Sequence, residues 1–205
     1  MSLSEADFSY PVMEHFYTIQ GEGAYTGCPA YFIRLGGCDV GCVWCDVKDS
    51  WDANAHPKMS VAQMAAFVID TPAKIVVITG GEPAMYDLNP LINHLKSQGV
   101  RVHIETSGAY PIQGQPDWIC LSPKKFKFPL PETLVLAHEF KSVVYHKSDI
   151  DWALTFLPQL NDTCMLFLQP EWSKSEQMTP LVIDFVKTNP NWRISLQTHK
   201  FLNIP

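Results

Sequence analysis

The spacing of apolar and polar residues changes along the chain at about residue 60. Between residues 10 and 38, apolar and polar positions alternate around a glycine-rich segment at residues 20–23. This pattern predicts two strands joined by a glycine turn, the second over residues 30–35. From residue 60 onward, short apolar runs alternate with segments of helical periodicity. Strands that alternate with helices are typical of a mostly parallel α/β sheet with right-handed crossovers.

Six strands and four helices are predicted in this second part of the chain. The strands cover residues 74–79, 100–106, 118–121, 140–145, 164–168 and 193–197. The helices cover residues 60–69, 87–99, 148–157 and 176–188, and Ser60 and Gln63 predict a capping box at the first. Residues 199–205 form a tail without a clear period. No repeat or linker interrupts the sequence, so we expect a single domain over residues 1–205.

Polar segments that turn sharply follow five of the predicted strands. Because ligands bind at the carboxyl ends of strands in α/β sheets and barrels, these segments predict a functional site at that edge. The five segments are Gly80-Gly-Glu-Pro83, Glu105-Thr-Ser-Gly108, Ser122-Pro-Lys124, Gln169-Pro-Glu171 and Gln197-Thr-His-Lys200.

Composition and charge narrow the class of protein. Hydrophobic residues make up 46% and charged residues 18%, which suits a buried core and disfavours disorder or a coiled coil. A net charge of −6 gives no electrostatic footprint for nucleic acid, and no apolar run is long enough to span a membrane. The first residues lack a signal-peptide pattern, so we expect a cytoplasmic protein whose six cysteines are not paired in disulfides.

Three of the six cysteines lie within eight residues and predict a metal centre. Cys38, Cys42 and Cys45 form a Cys-x3-Cys-x2-Cys loop after a strand, and thiolates are soft ligands for zinc or iron–sulfur iron. A structural zinc site needs four closed ligands, and Cys28 and His56, the candidates for a fourth, lie at unusual spacings. Three cysteines on a four-iron cluster would leave one iron open for another ligand. The spacing therefore favours a cluster, with zinc as the alternative.

These residues resemble a known family. The cysteine loop, with an aromatic residue before the third Cys, resembles the signature of the radical S-adenosylmethionine (SAM) superfamily, and the segment Gly80-Gly-Glu-Pro83 resembles its SAM-binding segment. The likeness extends to the 7-carboxy-7-deazaguanine synthase family, in the family's order and from about residue 10 to the last residue. The segments that carry it are Phe16-Tyr-Thr-Ile-Gln-Gly-Glu-Gly23, Phe32-Ile-Arg-Leu-Gly-Gly-Cys38, Val77-Ile-Thr-Gly-Gly-Glu-Pro83, Ile104-Glu-Thr-Ser-Gly108, Ser122-Pro-Lys124 and Gln197-Thr-His-Lys200.

The resemblance implies a fold, cofactors and a reaction. The fold would be an incomplete (β/α) barrel with an N-terminal β-strand extension, assembled as a homodimer. The cofactors would be a 4Fe-4S cluster and SAM, with flavodoxin or ferredoxin as electron donor. The reaction would convert 6-carboxy-5,6,7,8-tetrahydropterin to 7-carboxy-7-deazaguanine with loss of ammonia, a step of queuosine biosynthesis. A 5′-deoxyadenosyl radical would take the C6 hydrogen of the pterin before the ring contracts.

The resemblance also implies the site residues. The cluster ligands would be Cys38, Cys42 and Cys45. The residues around SAM would be Gly81, Glu105, Ser107, Ser122, Pro123, Lys124, Gln169, Pro170, Glu171 and Trp172. The residues around the pterin would be Ile19, Gln20, Gly21, Glu22, Arg34, Thr79, His199 and Pro205, for which the tail 199–205 would fold back to the site. No side chain would be catalytic in itself, because the cluster and SAM carry the radical.

One position departs from the family's pattern. The family usually has Thr or Ser two residues after the third Cys, where the hydroxyl binds Mg²⁺, whereas this chain has Val47. Mg²⁺ keeps several waters in protein sites, so the ion is expected either to be held by other groups or to be dispensable.

Two other functions remain as alternatives. A different radical SAM enzyme, such as a glycyl-radical activase, would leave the Gln20 segment and the Thr198-His-Lys200 segment unexplained. A zinc- or cluster-binding module without catalysis would be colourless, or would hold a cluster that SAM does not perturb.

Overall fold

The computed structural model describes residues 8–205, in which one mixed sheet carries nine strands. Their spatial order is β3-β1-β2-β4-β5-β6-β7-β8-β9. The strands are β1 Ser9–Ile19, β2 Pro29–Leu35, β3 Lys58–Ser60, β4 Ile75–Gly80, β5 Arg101–Thr106, β6 Trp118–Leu121, β7 Glu139–Val144, β8 Met165–Pro170 and β9 Trp192–Ile194.

The sheet is parallel except at its N-terminal side. β2 pairs in parallel with β4, and each later strand pairs in parallel with the next as far as β9. β1 runs antiparallel to both β2 and β3. The two edge strands, β3 and β9, do not meet, so the sheet stays open. The predicted fold class, an incomplete barrel with an added N-terminal strand, is confirmed.

Among the described residues, five α-helices lie in connections between parallel strands, and a sixth follows β9 at the cavity. They are α1 Val61–Ile69, α2 Asn89–Ser97, α3 Pro131–Leu136, α4 Ser148–Leu154, α5 Ser175–Thr188 and α6 Thr198–Leu202. The predicted capping box at α1 is present, because the Ser60 hydroxyl accepts from the Gln63 amide and the Gln63 side chain accepts from the Ser60 amide. Two apolar clusters form the core, one packing α1 and α2 against β1–β5 and the other packing α3–α5 against β6–β9.

The sequence missed three short elements and misplaced some boundaries. β3, α3 and α6 were not predicted, although Pro131 at the first position of α3 is a recognised helix-start signal. The last strand was predicted over residues 193–197 but ends at Ile194, and α4 ends at Leu154 rather than at residue 157. Among the described residues, the longest helix has 14 residues, and none is both long and apolar enough to cross a bilayer.

His103 is buried on β5 among aromatic side chains. Its ring lies 4.4 Å from the ring of Tyr25 and 6.2 Å from that of Trp118, measured between centroids. Among the described residues its Nε2 atom has no hydrogen-bond partner. Burial, assisted by the charge of Arg101, lowers the pKa of His103 from 6.5 to about 4. His103 therefore folds into the core as a neutral imidazole.

This burial predicts a pH dependence of stability. Between pH 6.5 and about 4, the unfolded chain binds a proton at residue 103 that the folded chain does not, so the free energy of unfolding falls as the pH falls. We expect His103→Phe to flatten that part of the profile, measured by urea unfolding at a series of pH values. The exposed His146 provides the control His146→Phe, and equal slopes for wild type and His103→Phe would contradict the prediction.

Candidate active site

The carboxyl ends of the parallel strands surround a cavity of about 520 Å³. The loops that follow β2, β4, β5, β6, β8 and β9 all reach it, as does the turn after β1. Every residue predicted for the cluster, SAM or the pterin lines this cavity, except Pro123 and Pro170. The structure thus brings to one place predicted site residues as far apart in sequence as Ile19 and Pro205.

The cysteine loop forms one wall of the cavity. Its start is held by two backbone hydrogen bonds, from the Gly37 amide to Ser50 O at 2.6 Å and from the Cys38 amide to Trp51 O at 3.1 Å. Cys42 is buried, and Cys38 and Cys45 are half-buried. Burial raises the pKa of Cys38 and raises that of Cys42 to about 11. The thiols of Cys38 and Cys42 stay protonated at neutral pH unless a bound metal stabilises their thiolates.

The loop suits a cluster better than a single metal ion. Within residues 8–205, no three His, Cys, Asp or Glu side chains are arranged around one metal position. Ligands of a four-iron cluster each bind their own iron, so they need not converge on one point. Gly81 faces this loop closely: a Cβ atom there would lie 2.3 Å from Gly37 O and 2.7 Å from Cys38 Cβ. Only glycine leaves the approach between these two loops undistorted.

Glu82 is a site residue whose role the sequence did not reveal. It is buried, and its carboxylate accepts hydrogen bonds from the Thr106 hydroxyl at 2.5 Å, from the Ser107 amide at 2.8 Å and from the Ser107 hydroxyl. The Ala84 amide adds a further bond at 3.0 Å. Glu82 therefore ties the loop after β4 to the loop after β5, and its place in the Gly-Gly-Glu-Pro segment was the available signal.

Lys124 brings a positive charge beside the cysteine loop. Its Nζ atom donates to Ser122 O at 2.6 Å and to Ser122 Oγ at 2.7 Å, and lies 5.6 Å from the centre of the Trp44 ring. Burial lowers the pKa of Lys124, an effect that the nearby Cys42 partly opposes. A cation here would favour the ionised form of a neighbouring thiol or the binding of an anionic group.

The residues predicted for SAM and those predicted for the pterin share one hydrogen-bond network. The Gln20 side chain donates to Glu105 at 2.9 Å and accepts from the Glu22 amide at 3.1 Å. Glu22 also accepts from Gln197 at 3.0 Å and from Lys141. Lys141 was missed from the sequence, and the available signal was a lysine inside a predicted strand.

The end of the chain lies against the turn after β1. The Thr198 amide and hydroxyl both donate to Gly21 O, at 2.9 and 3.0 Å, and Thr18 donates to Pro205 O at 3.2 Å. The His199 ring packs on Gly21 so closely that a Cβ atom there would lie 2.2 Å from His199 Nδ1. Burial lowers the pKa of His199. These contacts hold residues 198–205 against the turn after β1, beside the cavity.

The position for which the resemblance implies a magnesium ligand holds an apolar side chain. Val47 lines the cavity, and its side chain has no ligand atom. Its neighbour Asp46 accepts from Lys200 at 3.0 Å and from Gln197 at 3.5 Å. The carboxylate nearest in sequence is thus engaged with the end of the chain.

Comparisons with known proteins agree with this geometry. The sequence model described as the Radical SAM superfamily matches residues 32–120. The 7-carboxy-7-deazaguanine synthase of Flavobacterium psychrophilum is 54% identical over 95% of this chain and 92% of its own. The Escherichia coli protein of the same name is 37% identical over 95% of this chain and 99% of its own. The crystal structure of QueE from Escherichia coli superposes with a TM-score of 0.84 at 35% identity, covering 92% of this chain and 93% of that one.

Proposed function

We propose a reaction for this chain on the basis that it belongs to the 7-carboxy-7-deazaguanine synthase family of the radical SAM superfamily. In this reaction, the cavity converts 6-carboxy-5,6,7,8-tetrahydropterin to 7-carboxy-7-deazaguanine with loss of ammonia. Family membership makes the chain a radical SAM lyase with a role in queuosine biosynthesis, and makes a 4Fe-4S cluster and SAM its cofactors. The substrate and the roles of individual residues are the content of the proposal.

One observation carries it: a single cavity has thiols on one wall and a charged network on the other. Cys38, Cys42 and Cys45 would hold three irons of the cluster. The chemistry that a bound cluster and SAM would supply is a 5′-deoxyadenosyl radical, the species proposed to take the C6 hydrogen of the pterin. The chain itself binds and orients the two molecules and excludes water from the space between them.

The polar wall suits the pyrimidine edge of a pterin. That edge offers two adjacent N–H groups, and one carboxylate can accept hydrogen bonds from both of them. Glu22 faces the cavity, and its two carboxylate oxygens accept hydrogen bonds from Lys141 and Gln197. Arg34 also lines the cavity and would bind the substrate carboxylate, for which a guanidinium fork is well shaped. Thr79, His199 and the chain end at Pro205 complete the proposed pterin contacts.

A metal and two partners also belong to the proposed function. Mg²⁺ would be held by groups other than the side chain of Val47, which has no ligand atom. A flavodoxin or ferredoxin is proposed as the electron donor and a homodimer as the assembly, both on the resemblance to the family.

Anaerobic turnover tests the proposal directly. We expect the reconstituted enzyme, given SAM, reductant and 6-carboxytetrahydropterin, to form 7-carboxy-7-deazaguanine, detected by mass spectrometry. Parallel reactions with and without Mg²⁺, in wild type and in Val47→Thr, report the metal dependence, and we expect a larger magnesium response in the variant. Formation of 5′-deoxyadenosine without the deazaguanine would overturn the substrate assignment and favour an activase. No effect of SAM on the cluster would favour a module without catalysis.

A further inference from the structure

Lys141 is a buried cation on the inner face of the sheet. It lies in the middle of β7, where alternation points Phe140 and Val144 into the outer core and Lys141 and Val143 into the cavity. Its side chain is only 4% exposed. None of the sequence motifs includes it, and the function proposed above gives it no role.

The contacts of Lys141 close a ring of polar groups at the floor of the cavity. Its Nζ atom donates to one Glu22 oxygen and lies 3.9 Å from a Glu105 oxygen. Glu105 accepts from Gln20, and Gln20 accepts from the Glu22 amide. Outside the ring, Gln197 holds the second oxygen of Glu22. The Glu22 carboxylate is therefore fixed on both oxygens before any ligand enters.

Such a ring is a costly way to stabilise a fold. Removing a lysine and a carboxylate from water costs several kcal/mol each, and replacing a buried ion pair by apolar side chains is often neutral or stabilising. Position 141 could have held an apolar residue, because Val143, two residues later on the same face, is apolar and also lines the cavity. A charged pair in this place is better explained by what it does to the cavity than by what it adds to folding.

The ring controls the ionisation of Glu22. Burial opposes the charge on Glu22, but the positive charge and hydrogen bond of Lys141, together with the bond from Gln197, outweigh burial and lower the pKa of Glu22. Burial likewise opposes the charge on Lys141, but the acidic groups around it raise its pKa. An ionised carboxylate only accepts hydrogen bonds, whereas a protonated one donates one as well.

We propose that Lys141 is a positioning residue that makes the site specific for a ring with two adjacent N–H donors, by holding Glu22 as a fixed, acceptor-only carboxylate. This inference rests on the proposed function, in which Glu22 meets the 2-amino and N3–H groups of the pterin. A ligand with a 2-oxo group in place of the 2-amino group offers one donor and one acceptor at the same edge. An ionised Glu22 rejects this ligand, whereas a protonated Glu22 accepts it.

The test compares two ligands that differ in the substituent at C2 and in the proton that N1 carries with it. 6-Carboxypterin and 6-carboxylumazine, which has a 2-oxo in place of the 2-amino group, are titrated calorimetrically into reconstituted, SAM-bound enzyme without reductant. We expect wild type to prefer the pterin, and Lys141→Met to lose about tenfold of that preference because its unpaired Glu22 becomes protonated. Lys141→Arg keeps the charge and is expected to retain the preference. If Lys141 had only a structural role, Lys141→Met would weaken the binding of both ligands equally.

A second comparison keeps the test informative if Lys141→Met folds poorly. Glu22→Gln is neutral at the same place, so adding Lys141→Met to it leaves no unpaired charge at residue 22, although Glu105 still loses its nearby cation. The double variant should show the same ligand preference as Glu22→Gln alone. A further change in preference in that background would overturn the inference, as would an unchanged preference in a folded Lys141→Met. Failure of wild type to bind 6-carboxypterin would instead overturn the proposed function itself.

Discussion

Replacing Cys42 by alanine is expected to abolish turnover, lowering it on the order of 1,000-fold or more, because the hard chemistry belongs to the cluster and SAM. Cys42 is the most buried of the three loop cysteines. Burial keeps its thiol neutral until a bound metal stabilises the thiolate. Alanine has no sulfur, so the other two cysteines of the loop would have to hold the cluster alone. We expect the variant to lose iron and inorganic sulfide together with its visible absorbance, measured after anaerobic reconstitution.

Two cysteines outside the loop provide matched controls. Cys28→Ala tests the candidate fourth ligand of the zinc alternative, and Cys164→Ala tests a half-buried thiol at the edge of the second core cluster. Both variants should retain wild-type iron content, with at most a modest loss of stability from the deleted sulfur. Retained iron in Cys42→Ala, or equal loss in Cys28→Ala, would show that the cluster is bound by a different set of residues.

The sequence predicted the parts of the fold that rest on local patterns. The apolar runs that became β4, β6 and β8 are nearly continuous, as expected for strands buried on both faces. β3 has three residues, too few to show a period, and exists because it pairs with β1 about fifty residues earlier in the chain. α6 likewise begins at Thr198, whose hydroxyl bonds Gly21, 177 residues away. Elements fixed by distant partners leave little trace in local sequence.

The same distinction applies to the site. Loops that carry glycine, proline and polar residues together at strand ends were predicted as the functional edge, and they do line one cavity. Lys141 was missed because it sits inside a strand, where a lone lysine most often marks an exposed edge position. Its contacts are with Glu22 in the turn after β1 and with Glu105 on β5, both far from it in sequence. Glu82 was missed for a related reason, since Thr106 and Ser107, which donate to it, lie at and just after the end of β5.

Replacing Arg34 by alanine is expected to weaken binding of 6-carboxypterin about 100-fold while leaving SAM binding within about twofold. Arg34 lies on β2, lines the cavity and donates from Nε to Glu14 at 2.6 Å, with 19% of its side chain exposed. A guanidinium has five N–H donors, so others remain for a ligand carboxylate. Its loss would leave that carboxylate desolvated without a partner, and calorimetric titration of the reconstituted enzyme measures the effect.

Controls separate ligand binding from the ion pair with Glu14. Glu14→Gln removes the negative partner, which is 42% exposed, and should change stability by less than about 1 kcal/mol. Pterin affinity should stay the same or increase in that variant, because Arg34 is then free of a competing carboxylate. Arg101→Ala makes the same substitution at an exposed arginine at the start of β5 and should leave both ligands unaffected. If Arg34→Ala bound the pterin as tightly as wild type, the substrate carboxylate would lie elsewhere in the cavity, with Lys124 as the next cation to test.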